Sequence, residues 1–479
     1  MKYRTIFIAI ITLSVLIFNN YTQQSDFSKE IDKVIDYYAV NGMFNGCILV
    51  AETNNIIYEN AFGYADFEEK KYNSTDAVFC IGSITKQFTA MSIMMLQQRG
   101  ELSYDDKIVE FFPEFEDFAN EVTIRHLLTH TSGLLDYLND LSLHEKLLEV
   151  TDKIAFDSLV TYKRLKFKPG EKYSYSNSGY FLLAMIIEKI TEKSYREFIS
   201  ENIFFPLGMK NSYVLDESFY DIPNRVKSYE FWREIDTDVR VKVNGHGNIY
   251  STVKDLLIWN NSLSTYRLVD KTTLDIAFSP PQLGNGEKTD YGFVWHIKED
   301  QNGKTVFHRG GIAGFRTYNG FQLNNKISLI IFANNTEMSE VNAIINNLEG
   351  IFNRKHYTLK KKSICEYFYE LWYFRGLKAA KNKIQHVLEH ERSEYDLSEF
   401  RLNELGYHFL TRGNIDAAIE TFKINVKLYP ESSNAYDSLG EAYLRNGQID
   451  LAVKNYKKAL ELNPENSSAH EMLKKLEKK

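Results

Sequence analysis

The alternation of apolar and polar positions predicts two strand-rich regions with a helical stretch between them. Residues 46–62 read GCILVAETNNIIYENAF, where two apolar runs flank a Thr-Asn-Asn turn, as in a β-hairpin. Residues 304–334 hold three further runs, KTVFH, GFRTYNGFQL and ISLIIFA. Helical spacing of apolar residues dominates between these two regions. Its clearest examples are Phe88, Met91, Met95 and Leu96, then Leu182, Ile186, Ile187 and Ile190.

This order of elements predicts an α+β fold. Because the strands lie at both ends and the helices between them, we expect one antiparallel sheet, flanked by helices and closed by the two ends of the segment. The helical insertion then forms a second, all-helical lobe. A helix predicted from about Ser339 to Phe352 follows the last strand. This first domain is therefore expected to span residues 25–355.

The C-terminal part of the chain repeats with a period of about 34 residues. The matching pairs are Leu405 and Leu439, Gly406 and Gly440, Phe409 and Tyr443, Gly413 and Gly447, Asp416 and Asp450, Ala418 and Ala452, Phe422 and Tyr456, and Pro430 and Pro464. The pattern resembles the tetratricopeptide repeat (TPR), in which small residues let paired helices approach and proline ends the second helix. It implies an all-α TPR domain over 399–479, closed by a polar capping helix.

Residues 356–398 are predicted to form a helical linker between the two domains. Two repeats with a cap fall short of the three repeats that such a domain usually needs. The aromatic segment at 363–390 is a candidate for the missing layer. The repeat domain is expected either to present a concave surface to a peptide or protein partner or to brace the first domain.

The first residues have the pattern of an export signal. Lys2 and Arg4 precede an apolar stretch at 6–18, which is shorter than the roughly 20 residues that a membrane span needs. We therefore predict a signal peptide over 1–24, cleaved within 19–25, and a mature chain in the periplasm or outside the cell. An uncleaved N-terminal membrane anchor is the alternative.

The bulk composition excludes several other classes of protein. The net charge is -7 and the pI is near 6.0, so no basic surface indicates a nucleic-acid partner. Hydrophobic residues make up 44% and charged residues 25% of the chain, as in globular proteins, which excludes wholesale disorder. The cysteines, Cys47, Cys80 and Cys365, are far apart and indicate neither a disulfide framework nor a paired-cysteine metal site.

Ser83 and Lys86 form an S-x-x-K pair within FCIGSITKQFTAMSIMMLQQ. This spacing puts both side chains on one face of a helix, one turn apart. Free N–H groups at the start of that helix favour developing negative charge, and a partly desolvated amine can take the proton of a serine hydroxyl. The pair alone is a weak signal, because a solvent-facing serine and lysine at this spacing are common.

Two further motifs give the pair a context. PGEKYSYSNSGYFLLAMIIE contains Tyr175, whose phenolate a nearby cationic lysine would favour, and Asn177, whose amide offers a donor and an acceptor to a substrate. VFHRGGIAGF places His308, Gly310 and Gly311 at the end of a strand. Glycines there let a substrate backbone approach, and a free N–H can complete an oxyanion hole. Taken alone, each motif is more simply interpreted as a loop aromatic or a sheet-edge histidine.

The order S-x-x-K, Y-x-N and H-x-G resembles the serine β-lactamase and penicillin-binding-protein superfamily. The Y-x-N form is similar to class C β-lactamases, D-Ala-D-Ala carboxypeptidases of the same branch, and related esterases and D-aminopeptidases. The segments GYADFEEK, TIRHLLTHTSGL, PLGMKNS and GNIYSTVKDLLIW agree with it, so the resemblance covers roughly residues 30–350. It implies that Ser83 is the acylated nucleophile, that Lys86 is its proton partner, and that Tyr175 is the general base or relays protons with Lys86.

The resemblance also implies a substrate-binding set, Asn177, His308, Gly310 and Gly311. Asn177 would orient the substrate, and the backbone N–H groups of Ser83 and Gly311 would form the oxyanion hole. His308 stands where class C β-lactamases carry a lysine. A histidine with a pKa near 6.5 is mostly neutral at pH 7, which makes recognition of a substrate carboxylate less secure and favours a peptidase or esterase over an efficient β-lactamase.

Neighbouring residues have structural interpretations beside functional ones. Arg309 either supplies the positive charge missing from the third motif or points away from the cleft. Cys80 reads as a buried apolar residue rather than a nucleophile. His126 and His130 have the spacing of two helical metal ligands, but no glutamate follows His126 as the zinc-protease motif requires, so neither a metal nor another cofactor is predicted. His246 reads as structural.

The sequence therefore predicts an extracytoplasmic serine hydrolase acting on a peptide, amide or ester substrate through an acyl-enzyme at Ser83. D-Ala carboxypeptidase, D-aminopeptidase and esterase activities are the candidates, with β-lactams among the candidate ligands. The alternative is a catalytically weak sensor of the penicillin-binding type, or a module whose repeats bind a protein. Specificity would lie in the loops at 135–165 and 212–245, which carry no transferable motif.

Overall fold

A computed structural model describes residues 27–143, 149–216, 221–230, 233–235, 241–312 and 314–476. The predicted signal peptide and its cleavage region lie outside these residues. The described chain divides into two compact units. The first comprises Phe44–Thr358 and the helix before it, and the second comprises the residues from Leu359 onward together with Asn41–Met43. The predicted linker, 356–398, thus falls almost wholly in the second unit.

Six strands form the main sheet within the described part of the first unit, and all of their pairings are antiparallel. They are β1 (Gly46–Glu52), β2 (Asn55–Phe62), β3 (His296–Asp300), β4 (Gly303–Ile312), β5 (Phe315–Gln322) and β6 (Ile327–Ala333). Their spatial order is β3-β4-β5-β6-β1-β2. Leu49 of β1 lies opposite Ile330 of β6, so the two ends of the unit meet in the middle of the sheet. The predicted antiparallel sheet is confirmed, and small two- and three-stranded sheets occur beside it.

The hydrophobic pattern found most of these strands for a physical reason. β1 and β6 are central and nearly wholly buried, so they read as continuous apolar runs. β3 was not predicted, because its sequence, HIKED, lies at the sheet edge and is half-buried or exposed throughout. Edge strands carry charged residues that oppose pairing with other chains.

Helices fill the segment between β2 and β3 and cover the sheet. In this unit they are residues 27–40, Thr85–Gln98, Ile108–Phe111, Glu116–Ala119, Ile124–Leu128, Asp152–Tyr162, Asn177–Thr191, Tyr195–Ile199, Phe205–Leu207, Val253–Ser264, Lys271–Ala277 and Met338–Phe352. Tighter or wider turns occur at Gly82–Ile84, Pro113–Phe115 and Ser200–Phe204. Short strands occur at Tyr64–Asp66, Lys71–Tyr72, Phe79–Cys80, Val150–Thr151, Tyr213–Val214, Tyr229–Glu230, Arg233–Glu234, Val241–Lys242 and Ile249–Ser251. No helix in the described ranges is both long and apolar enough to cross a bilayer.

The Thr85–Gln98 helix runs through the core. The predicted apolar face is buried, but so is every other residue from Thr85 to Leu96. Gln87 is partly satisfied there: its Oε1 accepts hydrogen bonds from Trp259 Nε1 at 3.0 Å and Asn319 Nδ2 at 3.1 Å, while its Nε2 has no hydrogen-bond partner among the described residues. The apolar spacing therefore located this helix but did not indicate that its other faces are buried as well.

The second unit is built from helix pairs. Its helices are Ile364–His386, Glu399–Thr411, Ile415–Leu428, Ser433–Arg445, Ile449–Leu462 and Ser467–Leu476, with short turns at Val387–Glu391 and Arg392–Glu394 and a two-residue bridge between Lys362–Ser363 and Tyr395–Asp396. A Cβ on Gly406 would lie 2.3 Å from the Phe422 ring, so glycine permits the close pairing of the first repeat. Phe368 and Trp372 place their rings 5.7 and 4.9 Å from that of Phe409. The aromatic helix thus packs on the first repeat as an added layer.

Candidate active site

Ser83 lies in a short 3-10 turn just before the Thr85–Gln98 helix. In the stretch 77–96, all of which the structure describes, Ser83 alone is partly exposed. Gly82 has a φ of 53°, in the left-handed region that favours glycine, and a Cβ there would come within 3.0 Å of the backbone nitrogen of Gly311. The turn therefore packs directly against β4 and brings the predicted nucleophile beside the third motif.

The two glycines of the third motif have different surroundings. A Cβ on Gly310 would lie 2.1 Å from the carbonyl oxygen of Ile81 and 2.2 Å from Oγ1 of Thr317. The Thr317 hydroxyl in turn donates to the Ile81 carbonyl at 2.8 Å. Gly311 is exposed, and a Cβ there would meet no described atom within 4 Å. Gly310 therefore serves the packing of β4, whereas Gly311 faces open space next to the serine.

Lys86 is fully buried and has three hydrogen-bond partners among the described residues. Its Nζ lies 3.2 Å from Ser83 Oγ, 2.9 Å from Asn177 Oδ1 and 2.9 Å from the backbone oxygen of His246. Burial lowers the pKa of the amine to about 7, although the Asp136 carboxylate acts in the opposite direction. Near neutral pH a substantial fraction of Lys86 is thus an uncharged amine.

The partners of Lys86 give the neutral amine one orientation. The amide oxygen of Asn177 and the carbonyl of His246 are acceptors only, so they take the two N–H groups of the uncharged amine. The remaining lone pair is then directed at the third partner, the Ser83 hydroxyl. The arrangement can therefore remove a proton from the serine.

Tyr175 approaches Lys86 with its ring face rather than its hydroxyl. Lys86 Nζ lies 4.9 Å from the Tyr175 ring centroid and 5.7 Å from that of Tyr180. The Tyr175 hydroxyl is buried and makes no ordinary hydrogen bond with any described residue, although Ser83 is close enough to lower its pKa. Burial is the larger influence and raises this pKa well above its usual value. The expected stabilisation of a Tyr175 phenolate by Lys86 is therefore not what the structure shows.

Asn177 begins a helix, Asn177–Thr191, and its side chain is engaged on both sides. Its Oδ1 accepts from Lys86, and its Nδ2 donates to Oδ2 of Asp136 at 3.1 Å. Within the described structure the amide thus orients the lysine. The predicted contact of Asn177 with a substrate stays a prediction.

A chain of hydrogen bonds fixes the state of His308. The Ser176 N–H donates to His130 Nδ1 at 3.1 Å, His130 Nε2 and the Tyr291 hydroxyl are 3.1 Å apart, and that hydroxyl lies 2.9 Å from His308 Nε2. His308 Nδ1 lies 2.6 Å from the backbone oxygen of Arg309. A backbone donor at one end and a carbonyl at the other assign the protons: His130 donates to Tyr291, Tyr291 donates to His308, and His308 donates to the carbonyl.

The third motif thus presents no cation on its described residues. Burial, followed by the charge of Lys86, holds the pKa of His308 well below its usual value, so the ring is neutral. The Arg309 guanidinium stacks over the Phe307 ring, 4.9 Å from its centroid, and its Nε donates to Asn342 Oδ1 at 2.9 Å. Of the two interpretations of Arg309, the structure supports the one in which it points away from the cleft.

The candidate nucleophile Cys80 and the candidate metal ligand His126 have structural partners. Cys80 is buried with its Sγ 3.3 Å from the Gly247 carbonyl, and burial raises the pKa of its thiol to about 11. His126 Nδ1 lies 3.1 Å from Thr123 Oγ1 at a helix start. The described residues contain no group of three or more His, Cys, Asp or Glu that could hold a metal ion.

Sequence reasoning missed three contributors to the site. Asp136 stands between Leu134-Leu135 and Tyr137-Leu138, and a charge between two apolar pairs was an available signal. Tyr291 had none, because it meets His130 only through the fold. His246 contributes its carbonyl, while its ring is hydrogen-bonded to the Tyr137 hydroxyl, as expected of a structural histidine.

Comparison with known proteins identifies two family profiles in the chain. The profile described as Beta-lactamase matches residues 28–349. The profile described as Tetratricopeptide repeat matches residues 434–466, the second of the two predicted repeats. The first match spans the whole of the cluster around Ser83, and the second lies in the helix-pair unit.

Individual relatives agree with the larger match. Penicillin-binding protein 4* of Bacillus subtilis (strain 168) is 32% identical over 396 residues, which cover 76% of this chain and 86% of the relative. The octameric penicillin-binding protein homologue from Pyrococcus abyssi superposes with a TM-score of 0.61 at 25% identity, covering 72% of this chain and 81% of that structure. D-amino acid amidase from Ochrobactrum anthropi SV3 shares the fold, with a TM-score of 0.58 at 23% identity over 69% of this chain and 99% of that structure.

Proposed function

The chain belongs to the β-lactamase family, and from this premise we propose that it is a serine hydrolase that forms an acyl-enzyme at Ser83. One observation carries the proposal: Lys86 Nζ lies 3.2 Å from Ser83 Oγ while two carbonyl oxygens occupy its N–H groups. A buried amine with a pKa of about 7 is matched to general-base work near neutral pH.

Acylation then follows from the positions of the groups. Lys86 takes the proton of the Ser83 hydroxyl, and the oxygen attacks the carbonyl carbon of the substrate. We expect the developing oxyanion to lie beside the backbone N–H groups of Ser83 and Gly311, because the turn before Ser83 packs on β4, where a Cβ on Gly82 would lie 3.0 Å from the Gly311 nitrogen. The leaving amine or alcohol takes a proton as the carbonyl re-forms, and the acyl group stays on the serine.

Tyr175 fits a proton relay better than a general base. Its raised pKa keeps the phenol protonated, and its hydroxyl lies near Ser83, where the leaving group departs. A protonated phenol can donate to the leaving group, which leaves a phenolate at Tyr175 near Ser83 and an ammonium at Lys86. In deacylation the same groups work in reverse on a water molecule, which releases the acid and restores the serine.

The neutral third motif bears on the substrate. His308 is uncharged and Arg309 points away, so we propose that substrates bind beside β4 through backbone and uncharged groups rather than through an ion pair. This favours peptide, amide or ester substrates, such as D-amino-acid amides, small esters or D-Ala peptides. β-Lactams remain candidate ligands of the same serine.

The proposed setting is outside the cytoplasm, as the N-terminal pattern predicts. The repeat unit supports binding of a protein partner, since it contains the Tetratricopeptide repeat match at residues 434–466. A slow sensor with recruiting repeats is the alternative to a metabolic hydrolase. The rate of deacylation separates the two, because a sensor holds its acyl-enzyme whereas a hydrolase turns it over.

Intact-mass spectrometry of the purified chain tests the proposal. The chain is mixed in turn with a fluorophosphonate, a penicillin and a D-Ala-D-Ala thioester. We expect an adduct on the parent and on Cys80→Ala, which removes a nearby alternative nucleophile, but none on Ser83→Ala. An adduct that persists on Ser83→Ala, or the absence of any adduct on the parent, contradicts an acyl-enzyme at Ser83.

A further inference from the structure

The buried carboxylate of Asp136 lies two hydrogen bonds from the amine that activates the serine. We propose that Asp136 is a positioning residue for acylation, which holds the Asn177 amide so that its oxygen faces Lys86 and the amine lone pair faces Ser83. The inference rests on the proposed function, since it concerns the same proton transfer. It adds a residue that neither the S-x-x-K nor the Y-x-N motif contains.

Asp136 is built into the structure as a carboxylate. It is 1% exposed, and each of its oxygens accepts at least two N–H groups from described residues. Oδ1 accepts from the backbone nitrogens of Leu138 and Asn139 at 2.8 and 2.9 Å, and Oδ2 accepts from the backbone nitrogen and Nδ2 of Asn177 at 2.5 and 3.1 Å. An asparagine at this position, in either orientation, would aim its NH₂ group at two donors.

The contact with Asp136 decides which way the Asn177 amide points. Its NH₂ group must face the carboxylate, so its oxygen must face Lys86, as observed at 2.9 Å. A flipped amide would direct an N–H at the amine and occupy the lone pair that otherwise meets the Ser83 hydroxyl. Asp136 thereby excludes the orientation of Asn177 that would disable Lys86 as a base.

The charge of Asp136 also acts on Lys86 in a neutral surrounding. The other titratable groups that face this amine are uncharged near pH 7, because burial lowers the pKa values of the histidines and raises those of the tyrosines; they are His130, His246, His308, Tyr175 and Tyr180. The carboxylate raises the pKa of Lys86 against the effect of burial. Removal of the carboxylate should therefore move the pH dependence of acylation, which a purely structural residue would leave in place.

The experiment compares Asp136→Asn with Asp140→Asn in the full chain. Asp140 is a matched control, because its carboxylate accepts from the backbone nitrogen of Asp136 at 2.7 Å and pairs with Lys166 at 2.8 Å without touching Asn177. The rate of Ser83 labelling by a fluorophosphonate is measured by intact mass from about pH 5 to about pH 9. For Asp136→Asn we expect the plateau rate to fall about tenfold and the midpoint of the rise with pH to move down by about one pH unit. Asp140→Asn should keep both the plateau and the midpoint of the parent.

Each outcome addresses a different statement. A parent that is not labelled at Ser83 contradicts the proposed function itself. A labelled parent with an Asp136→Asn variant of unchanged rate and unchanged midpoint overturns the role of Asp136. A lower rate at an unchanged midpoint also overturns it, because that result indicates general damage to the site.

Asn177→Ala provides a second test if Asp136→Asn does not fold. It keeps the buried carboxylate and its backbone donors at Leu138, Asn139 and residue 177. We expect labelling to fall about tenfold at the plateau, because the link to Lys86 is lost. The midpoint should stay near that of the parent, since the charge remains. An unchanged plateau overturns the proposal.

Discussion

The cluster around Lys86 and the helix pairs of the repeat unit both bury polar groups, but they find their partners at different distances along the chain. The Lys86 amine bonds to Asn177 and His246, which are 91 and 160 residues away. In the repeat unit, Tyr407 donates to Glu441, 34 residues away, at the equivalent position of the next repeat. The first region gathers polar groups from distant segments, whereas in the second this bond joins one repeat to the next. Substitutions in the two regions should therefore fail in different ways.

The largest effect is expected where the distant partners converge. Lys86→Met keeps much of the buried volume but has no lone pair to accept the Ser83 proton. We expect the rate of fluorophosphonate labelling to fall about a thousandfold, within the range for loss of a general base. Lys153→Met, at a side chain that is 81% exposed, is the control and should label at the parent rate. A Lys86→Met rate within tenfold of the parent would place the base elsewhere.

The next largest effect is expected on stability, from alanine substitution of the closely packed Gly310. Gly310→Ala brings a Cβ to 2.1 Å from the backbone oxygen of Ile81, which cannot move without displacing the serine turn. We expect the free energy of unfolding to fall by about 3 kcal/mol. Gly311→Ala, with no described atom within 4 Å of its Cβ, should change it by less than about 0.5 kcal/mol. Denaturant titration measures both, and equal losses would contradict the close approach of β4 at Gly310.

A smaller effect on the labelling rate is expected from pH, because a change of pH alters only the protonation of the Lys86 amine. Lys86 must be neutral to act as a base, and its pKa is lowered to about 7. Labelling of Ser83 should therefore rise with pH, by about tenfold per unit below the pKa, and level off above about pH 8. A rate that is flat from pH 6 to pH 8, or that falls over this range, contradicts the role of the neutral amine.

The smallest effect tests whether the repeats are as alike as their sequences. A Cβ on Gly406 would lie 2.3 Å from the Phe422 ring, but one on Gly440 would lie 3.0 Å from the Tyr456 ring. Alanine gains about 1 kcal/mol of helix propensity over glycine. In Gly440→Ala we expect this gain to offset the steric cost of the new contact with Tyr456, so that stability is unchanged. In Gly406→Ala the closer contact should outweigh the gain and lower stability by about 1 kcal/mol. Hydrogen exchange within 399–476 measures both variants, and equal responses would contradict the difference between the repeats.

The contrast between local patterns and contacts of distant segments also explains which parts of the fold could be predicted from the sequence. The 46–62 hairpin, the strands within 304–334 and the final helix of the first unit were predicted because each follows a local apolar pattern. The repeat pairs were predicted because they recur at a fixed spacing. The polar edge strand β3 had no such pattern. The complete burial of the Thr85–Gln98 helix was not predicted, because polar residues such as Gln87 are typical of an exposed helix face.

The sequence predicted which residues form the candidate site, but not their burial, protonation or hydrogen-bond partners. The motifs indicated Ser83, Lys86, Asn177 and His308, and the structure brings them into one cluster around Lys86. The environment of Tyr175 depends on how deeply its hydroxyl is buried, which spacing does not record. Asp136 and Tyr291 act through contacts between segments that only the fold brings together.

The burial of the helix behind Ser83 has a consequence for how this segment can vary. On an ordinary surface helix, tolerated substitutions recur every three or four residues, on the solvent side. From Thr85 to Leu96 no residue faces solvent, so tolerance should show no such rhythm. Random mutagenesis of the segment should return a nearly unbroken block of intolerant positions. Neutral substitutions in this protein should instead accumulate in the loops and in the charged edge strand of the sheet.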